Sequence, residues 1–204
     1  MKKALVATIL GLATVVSTFA QGRVLLDTYA TSPYPLISYG AANGNGSSGG
    51  TPGVGVNSTF NIGIYWVAGS VAGSVAADPT GYATPGSLLA SFTQGLGAGS
   101  QVVATAGAGP GFFTSTTDFT LTPLASGPAT LMIVAFNAST YGAATVRGHS
   151  AAFVMTPAQL GAATGVGAFM SSFQVFNAVA VPEPSTFALA GLGLAGLLIF
   201  RRRN

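Results

Sequence analysis

The sequence contains no cysteine, so it has no thiolate to hold a structural metal and gains no disulfide from an oxidising compartment. Stability has to come from packing. Charge is almost as scarce, at 5% of 204 residues, and there is a single histidine. Five of the seven cations stand at the extreme ends, as Lys2, Lys3, Arg201, Arg202 and Arg203. The stretch between them keeps Arg23 and Arg147 against Asp27, Asp78 and Asp118. The formal net charge of +3 therefore conceals a nearly neutral interior with no basic patch to neutralise several phosphates, which argues against a nucleic-acid partner.

Long apolar runs are missing from that interior too. Hydrophobic residues make up 49% of the chain, yet between Gly22 and Ala180 they are broken every few positions by Gly, Ser, Thr, Asn and Pro. No internal stretch is expected to cross a bilayer. With the two ends set aside about 160 residues remain, enough for one domain with a sizeable core.

The scarcity of titratable groups limits chemistry. A Ser-His-Asp triad can be assembled on paper around His149, but no Gly-x-Ser-x-Gly elbow supports it, so His149 reads as a solvated loop residue beside Arg147 and Gly148. Asp27, Asp78 and Asp118 lie far apart and in no motif for paired-carboxylate hydrolysis. The expectation is no catalytic residue, no cofactor and no metal site.

What is present begins at the ends. Lys2-Lys3, the apolar run Ala4 to Val16, and the small residues Thr18 and Ala20 before Gln21 have the order of a secretory signal peptide, with cleavage expected between Ala20 and Gln21. At the other end, Val181-Pro182-Glu183-Pro184-Ser185-Thr186 precedes the apolar run Phe187 to Phe200 and the cluster Arg201-Arg202-Arg203. Fourteen helical residues rise about 21 Å, short of the ~30 Å hydrocarbon core, which predicts a marginal and transient span. The arginines are expected to stay on the cytoplasmic side and to complement the negative end of the helix dipole. Pro184 pushes Glu183 into an extended conformation of the kind a protease cleft accepts. The run Gly191-Leu192-Gly193-Leu194-Ala195-Gly196 matches a dinucleotide-binding fingerprint literally, but no strand of a βαβ unit precedes it, so helix packing is the better reading.

The triplet Pro182-Glu183-Pro184, followed by a short glycine-rich apolar helix and terminal arginines, resembles the PEP-CTERM sorting domain over residues 181–204. The resemblance implies an envelope-targeted precursor of a Gram-negative bacterium, processed by an exosortase, a transpeptidase-like membrane enzyme of bacteria that make exopolysaccharide. Its implied fate is removal of the tail and release to the cell surface or extracellular matrix.

In the body, residues 21–180, Phe60, Ile62, Ile64 and Trp66 alternate with Asn61, Gly63 and Tyr65 as a half-buried strand does. Further strands are expected over Val24 to Tyr29, Leu88 to Thr93, Phe112 to Leu121, Ala129 to Phe136, Ala151 to Met155 and Ser172 to Ala178. One short helix is expected at Thr156 to Ala163, with Thr156 as cap and Pro157 at its first position. Gly40 to Ser58 holds seven glycines in nineteen residues and is expected to be a flexible loop, with Gly95 to Gly111 a weaker case. The predicted fold is all-β, a single sandwich-like domain flanked by the signal peptide and the C-terminal helix. The Gly22 to Leu26 opening, the Phe60 to Trp66 strand, the Gly109-Pro110-Gly111-Phe112-Phe113 turn and the Ala129 to Asn137 strand resemble glycine-rich PEP-CTERM proteins of similar length, which implies a β-rich exported body.

Trp66, Tyr65, Tyr82 and Tyr141 are candidates for a sugar-stacking platform, although period 2 places Trp66 in the buried stripe of Phe60, Ile62 and Ile64 and leaves Tyr65 facing outward. Asn45, Asn57 and Asn137 each open an Asn-x-Ser/Thr triplet, a weak mark of glycosylation in a bacterium. The function expected is a non-enzymatic envelope or matrix protein in a structural or adhesive role. The expected partners are signal peptidase, an exosortase-type enzyme, the membrane transiently, and exopolysaccharide. The alternative is a carbohydrate-binding module for the cell's own exopolysaccharide, and an extracellular hydrolase comes third.

Overall fold

The computed structural model of the chain describes residues 22–29, 32–71, 92–105, 109–124, 126–158 and 161–178. Among them are eleven strands, a single 3-10 turn at Val166–Ala168 and no α-helix. Two long strands form the spine: β3 (Asn61–Ala68) pairs antiparallel with β7 (Ala129–Phe136) along its whole length, Asn61 opposite Phe136 and Ala68 opposite Ala129. Around them β2 (Ile37–Tyr39), β11 (Phe173–Asn177), β8 (Val146–His149), β7, β3 and β4 (Thr93–Gln94) follow in that order. Two short strands complete the eight-stranded sheet, β5 (Gln101–Val103) on β3 and β9 (Phe153–Met155) on β7. A second, three-stranded sheet runs β10 (Thr164–Gly165), β1 (Gly22–Leu25), β6 (Phe119–Leu121).

The main core lies where these sheets meet. Val24 and Leu26 from the small sheet's side, with Phe119 and Leu121 of β6, pack in one cluster with Ile62, Ile64 and Trp66 of β3, and with Leu131, Ile133 and Ala135 of β7. The expected stripe of Phe60, Ile62, Ile64 and Trp66 is buried on this one face. Two sheets closing over a shared apolar layer make the all-β sandwich that the alternation predicted.

The opposite face of the large sheet is where expectation fails. Tyr65, predicted to face water, is buried in a second cluster with Phe92, Met132, Val134, Phe136, Tyr141 and Ala144. The physical reason is legible in β7, whose eight residues Ala-Thr-Leu-Met-Ile-Val-Ala-Phe do not alternate and are all buried. A continuous apolar run is the mark of a strand covered on both faces.

One other expectation is corrected by the same packing. No helix starts at Thr156: Ala158 exchanges both backbone hydrogen bonds with Arg23 (2.9 and 3.1 Å), extending the pairing beside β1. The glycine-rich stretch after Gly40 bonds back to β2, where Tyr39 N–H donates to Val54 O (2.9 Å) and Val56 N–H donates to Ile37 O (3.0 Å), and Val56 is buried in the main core. Main-chain bonds and one valine thus offset an ordering cost that small side chains alone cannot. Gly111 is part of that closure, with φ +79° and its backbone against the Ile37 carbonyl where a Cβ has no room.

Candidate functional site

Two places in the body concentrate polar side chains, and the first is the point where the chain leaves the sheet. Strand β11 lies parallel to β2 and antiparallel to β8, and ends at Asn177. The Asn177 carbonyl accepts from Asn43 Nδ2 (2.8 Å) and Asn45 Nδ2 (3.1 Å), and its own Nδ2 donates to Asn45 O (2.7 Å). Asn43 Oδ1 in turn accepts from Asn45 N–H (2.9 Å), so the glycine-rich loop folds its two asparagines over the last strand as a clasp. Ala178 N–H then donates to Thr145 O (2.7 Å), and Asn137 Oδ1 fixes the same turn by accepting from Thr145 N–H (3.1 Å) and Val146 N–H (3.0 Å). The amide nitrogens of Asn45 and Asn137 are thus engaged within the protein, the latter with Thr145 Oγ1 (3.0 Å). Asn57 differs: its Oδ1 accepts from Thr59 N–H and Thr59 Oγ1 in an exposed turn.

The second place is the covered face of the large sheet. Register sets His149 opposite Val134, and Arg147 opposite both Phe136 and Phe176, so both polar side chains point into the layer of the second cluster. Gly148 between them is required because a Cβ there collides with the Gln174 carbonyl of β11. His149 is therefore not a solvated loop residue: it is 1% exposed. Its Nδ1 lies 2.9 Å from Ser150 O and must carry the proton, since a carbonyl only accepts. Its Nε2 is buried without a hydrogen-bond partner among the described residues. Arg147 is buried with its guanidinium 5.3 Å from the centre of the Tyr141 ring, and Nη1 donates to the carbonyls of Tyr141 and Gly142 (both 3.2 Å). Burial pushes the Tyr65 phenol above its ordinary value.

Among the described residues Asp118 and Asp27 have separate partners. Asp118 is paired with Arg23 (3.1 Å), whose second nitrogen donates to Gly161 O, while Asp27 Oδ1 accepts from Tyr29 N–H (2.7 Å). Asp78 lies outside the described residues. Among the described residues no group of three or more His, Asp or Glu side chains is placed to hold a metal ion. The stacking platform considered from sequence does not exist as drawn, because Trp66, Tyr65 and Tyr141 are all buried and Tyr82 lies outside the described residues. Sequence reasoning missed a different pair, Tyr29 and Tyr34, which stack on each other at the surface. The clue available was two tyrosines five positions apart in the aperiodic, proline-containing stretch Tyr29-Ala-Thr-Ser-Pro-Tyr-Pro35.

Neither a curated protein nor a solved structure matches the chain. A family model described as the PEP-CTERM protein-sorting motif matches residues 180–203, beginning two residues after the Ala178 hydrogen bond that closes the body. The chain carries a PEP-CTERM sorting motif. The PEP-CTERM match covers Pro182, Glu183, Pro184, the apolar run and Arg201, Arg202 and Arg203, all of which lie outside the described residues, as do Ala20 and Gln21 at the other end. The PEP-CTERM motif supports an exported protein that an exosortase-type membrane enzyme sorts toward the cell surface.

Proposed function

We propose that this protein is a non-enzymatic structural or adhesive component of the cell envelope or extracellular matrix, delivered there by removal of its C-terminal tail. The observation that carries the reading is the sorting motif, which follows a nearly neutral all-β body in sequence. In this reading signal peptidase cuts between Ala20 and Gln21, and the exosortase-type enzyme reads Pro182-Glu183-Pro184. Arg201, Arg202 and Arg203 hold the tail against the cytoplasmic side until then. Pro182 follows Ala178 by four residues, a contour of at most about 14 Å, so the enzyme works close to the folded sheet. Two further facts support a body without catalysis: the only histidine is buried with Nδ1 engaged, and the Asp118 carboxylate is neutralised by Arg23.

Intact-mass analysis of the surface fraction from the native host tests this. The mature protein is expected to lack both Met1 to Ala20 and Phe187 to Phe200. A surface-located protein that still carries Arg201 to Arg203 overturns the reading and makes the tail a permanent anchor. Replacing all three arginines with Ser removes an opposition to slippage of roughly 2.5–3.5 kcal/mol per arginine at the bilayer centre, and the variant is expected in the periplasm with its tail uncut.

A further inference from the structure

The segment Asn43-Gly44-Asn45-Gly46 sets two asparagines in succession, each directly before a glycine. That dipeptide is the one most prone to hydrolytic loss of its side-chain amide, because glycine has no Cβ to keep its backbone nitrogen away from the neighbouring Cγ. Here the four residues form a tight hairpin, in which Asn43 N–H donates to Gly46 O (3.1 Å) and Gly46 N–H donates to Asn43 O (2.9 Å). Gly44 and Gly46 are exposed and the two asparagines half-buried, so water reaches the segment. The reacting groups are nevertheless held. Asn43 Nδ2 and Asn45 Nδ2 donate to one shared acceptor, the Asn177 carbonyl (2.8 and 3.1 Å), and Asn43 Oδ1 accepts from Asn45 N–H (2.9 Å). The nitrogen that would attack Asn45 Cγ belongs to Gly46, and its hydrogen is engaged with Asn43 O.

We propose that Asn43 and Asn45 form a coupled deamidation site, slowed while the clasp is shut, and that conversion of either asparagine opens the loop. In the reaction the glycine nitrogen gives its proton to hydroxide and bonds to the asparagine Cγ. The bond from Cγ to Nδ2 breaks, and ammonia leaves with a proton taken from water. A second water then opens the succinimide ring to aspartate or isoaspartate. The net change is one water consumed and one ammonia released, with no oxidant and no enzyme required. To react, each Cγ has to turn toward the next backbone nitrogen, and the bonds to Asn177 O oppose that turn. The product inverts the contact: an amide Nδ2 donates, whereas an ionised carboxylate only accepts, so two acceptors would face each other at the Asn177 carbonyl. Isoaspartate also lengthens the main chain by one carbon inside the hairpin, which breaks the pairing of Asn43 with Gly46. Coupling follows from the shared acceptor. A carboxylate that swings away from Asn177 O loosens the hairpin that carries the other asparagine, so the second conversion is faster than the first. The opening ends where other bonds begin, since Gly40 N–H stays on Val175 O (2.8 Å) and Tyr39 N–H on Val54 O (2.9 Å).

The test incubates mature protein from the surface fraction in mildly alkaline buffer, with and without enough urea to unfold it, and follows each asparagine by peptide mass and isoaspartate detection. Conversion at Asn43 and Asn45 is expected to be at least tenfold slower in native buffer than in urea. Asn43→Asp should raise the native rate at Asn45 at least threefold and leave the rate in urea unchanged. Converted wild type, separated by anion exchange through its added charge, should be cut within residues 41–49 at least tenfold faster than unconverted protein. Asn43→Asp should also be cut faster than Asn43→Ala, because only the former sets an anion against the carbonyl. Equal rates with and without urea overturn the protection, an unchanged native rate at Asn45 in Asn43→Asp overturns the coupling, and converted protein as resistant as unconverted protein overturns the opening. Every measured residue lies in the body, and the same measurements apply to a precursor that keeps its tail, so these outcomes are independent of the sorting reading.

Discussion

The tail and the body carry their information in opposite ways. In the tail, the features that matter sit within the matched residues 180–203 as three neighbouring words: a proline-glutamate-proline triplet, an apolar run and an arginine cluster. In the body, the groups that matter come from remote parts of the chain, such as Asn43 with Asn177, Arg23 with Asp118, or Thr28 with Phe113. A code read by another protein survives in linear order, whereas a fold exists only after distant segments have paired. One substitution in the tail should therefore abolish an event completely, and one in the body should remove only a share of stability.

The largest expected effect is in the tail. Glu183→Ala should leave the full-length precursor in the membrane of a host that carries the enzyme, with less than a tenth of the wild-type mature form on immunoblots, while the body's unfolding midpoint stays unchanged. A shift in that midpoint would break the separation between code and fold.

The next effect belongs to the body alone. His149→Ala removes a fully buried ring from between β8 and the second cluster and should cost about 2–4 kcal/mol, by analogy with large-to-small changes in cores. A solvated residue in the same place would cost no more than about 0.5 kcal/mol. Urea unfolding of the mature protein distinguishes the two, and the tail should be processed at the wild-type rate wherever the variant folds.

How far each region was legible follows from this difference. The tail was read from local order alone. In the body, the alternation that marks β3 is itself a local pattern, and Ala129 to Phe136 was expected as a strand of the same kind, although its eight residues do not alternate and are all buried. Strand β8 was missed because Val-Arg-Gly-His looks like a solvated turn; it becomes a buried strand only through β7 on one side and β11 on the other, with Tyr141 over Arg147. The Thr156 helix failed for a related reason, since the pairing of Ala158 with Arg23 outweighs a good capping sequence. The Tyr29–Tyr34 pair was invisible because nothing in linear order says that two tyrosines flanking an irregular segment will stack.

A smaller effect is expected at the end of the body, next to the tail in sequence. Asn177→Ala deletes the donor to Asn45 O but keeps the carbonyl that Asn43 and Asn45 hold, so about 1 kcal/mol should be lost. Limited proteolysis should cut sooner within residues 40–58, because the clasp adds side-chain bonds to β11 beyond the one main-chain bond from Gly40 N–H to Val175 O. Unchanged proteolysis would mean that the main-chain bonds to β2 suffice.

The smallest effect tests the layer that sequence assigned to water. Burial raises the Tyr65 phenol above its ordinary 10.0, so below that pH both folded and unfolded chains hold the proton and Tyr65 adds no pH dependence. As pH rises past 10.0 the unfolded chain gives up its proton first, binds fewer protons than the folded one, and stability falls until the folded phenol also ionises. Tyr65→Phe removes this group and keeps the ring between Tyr141 and Met132, so the variant should lose less stability than wild type between pH 9 and pH 11. Urea midpoints of the mature proteins at those two pH values measure the difference. Equal slopes would place the Tyr65 phenol in water in the folded protein, and would return the second face of the large sheet to the solvated state that simple alternation predicts.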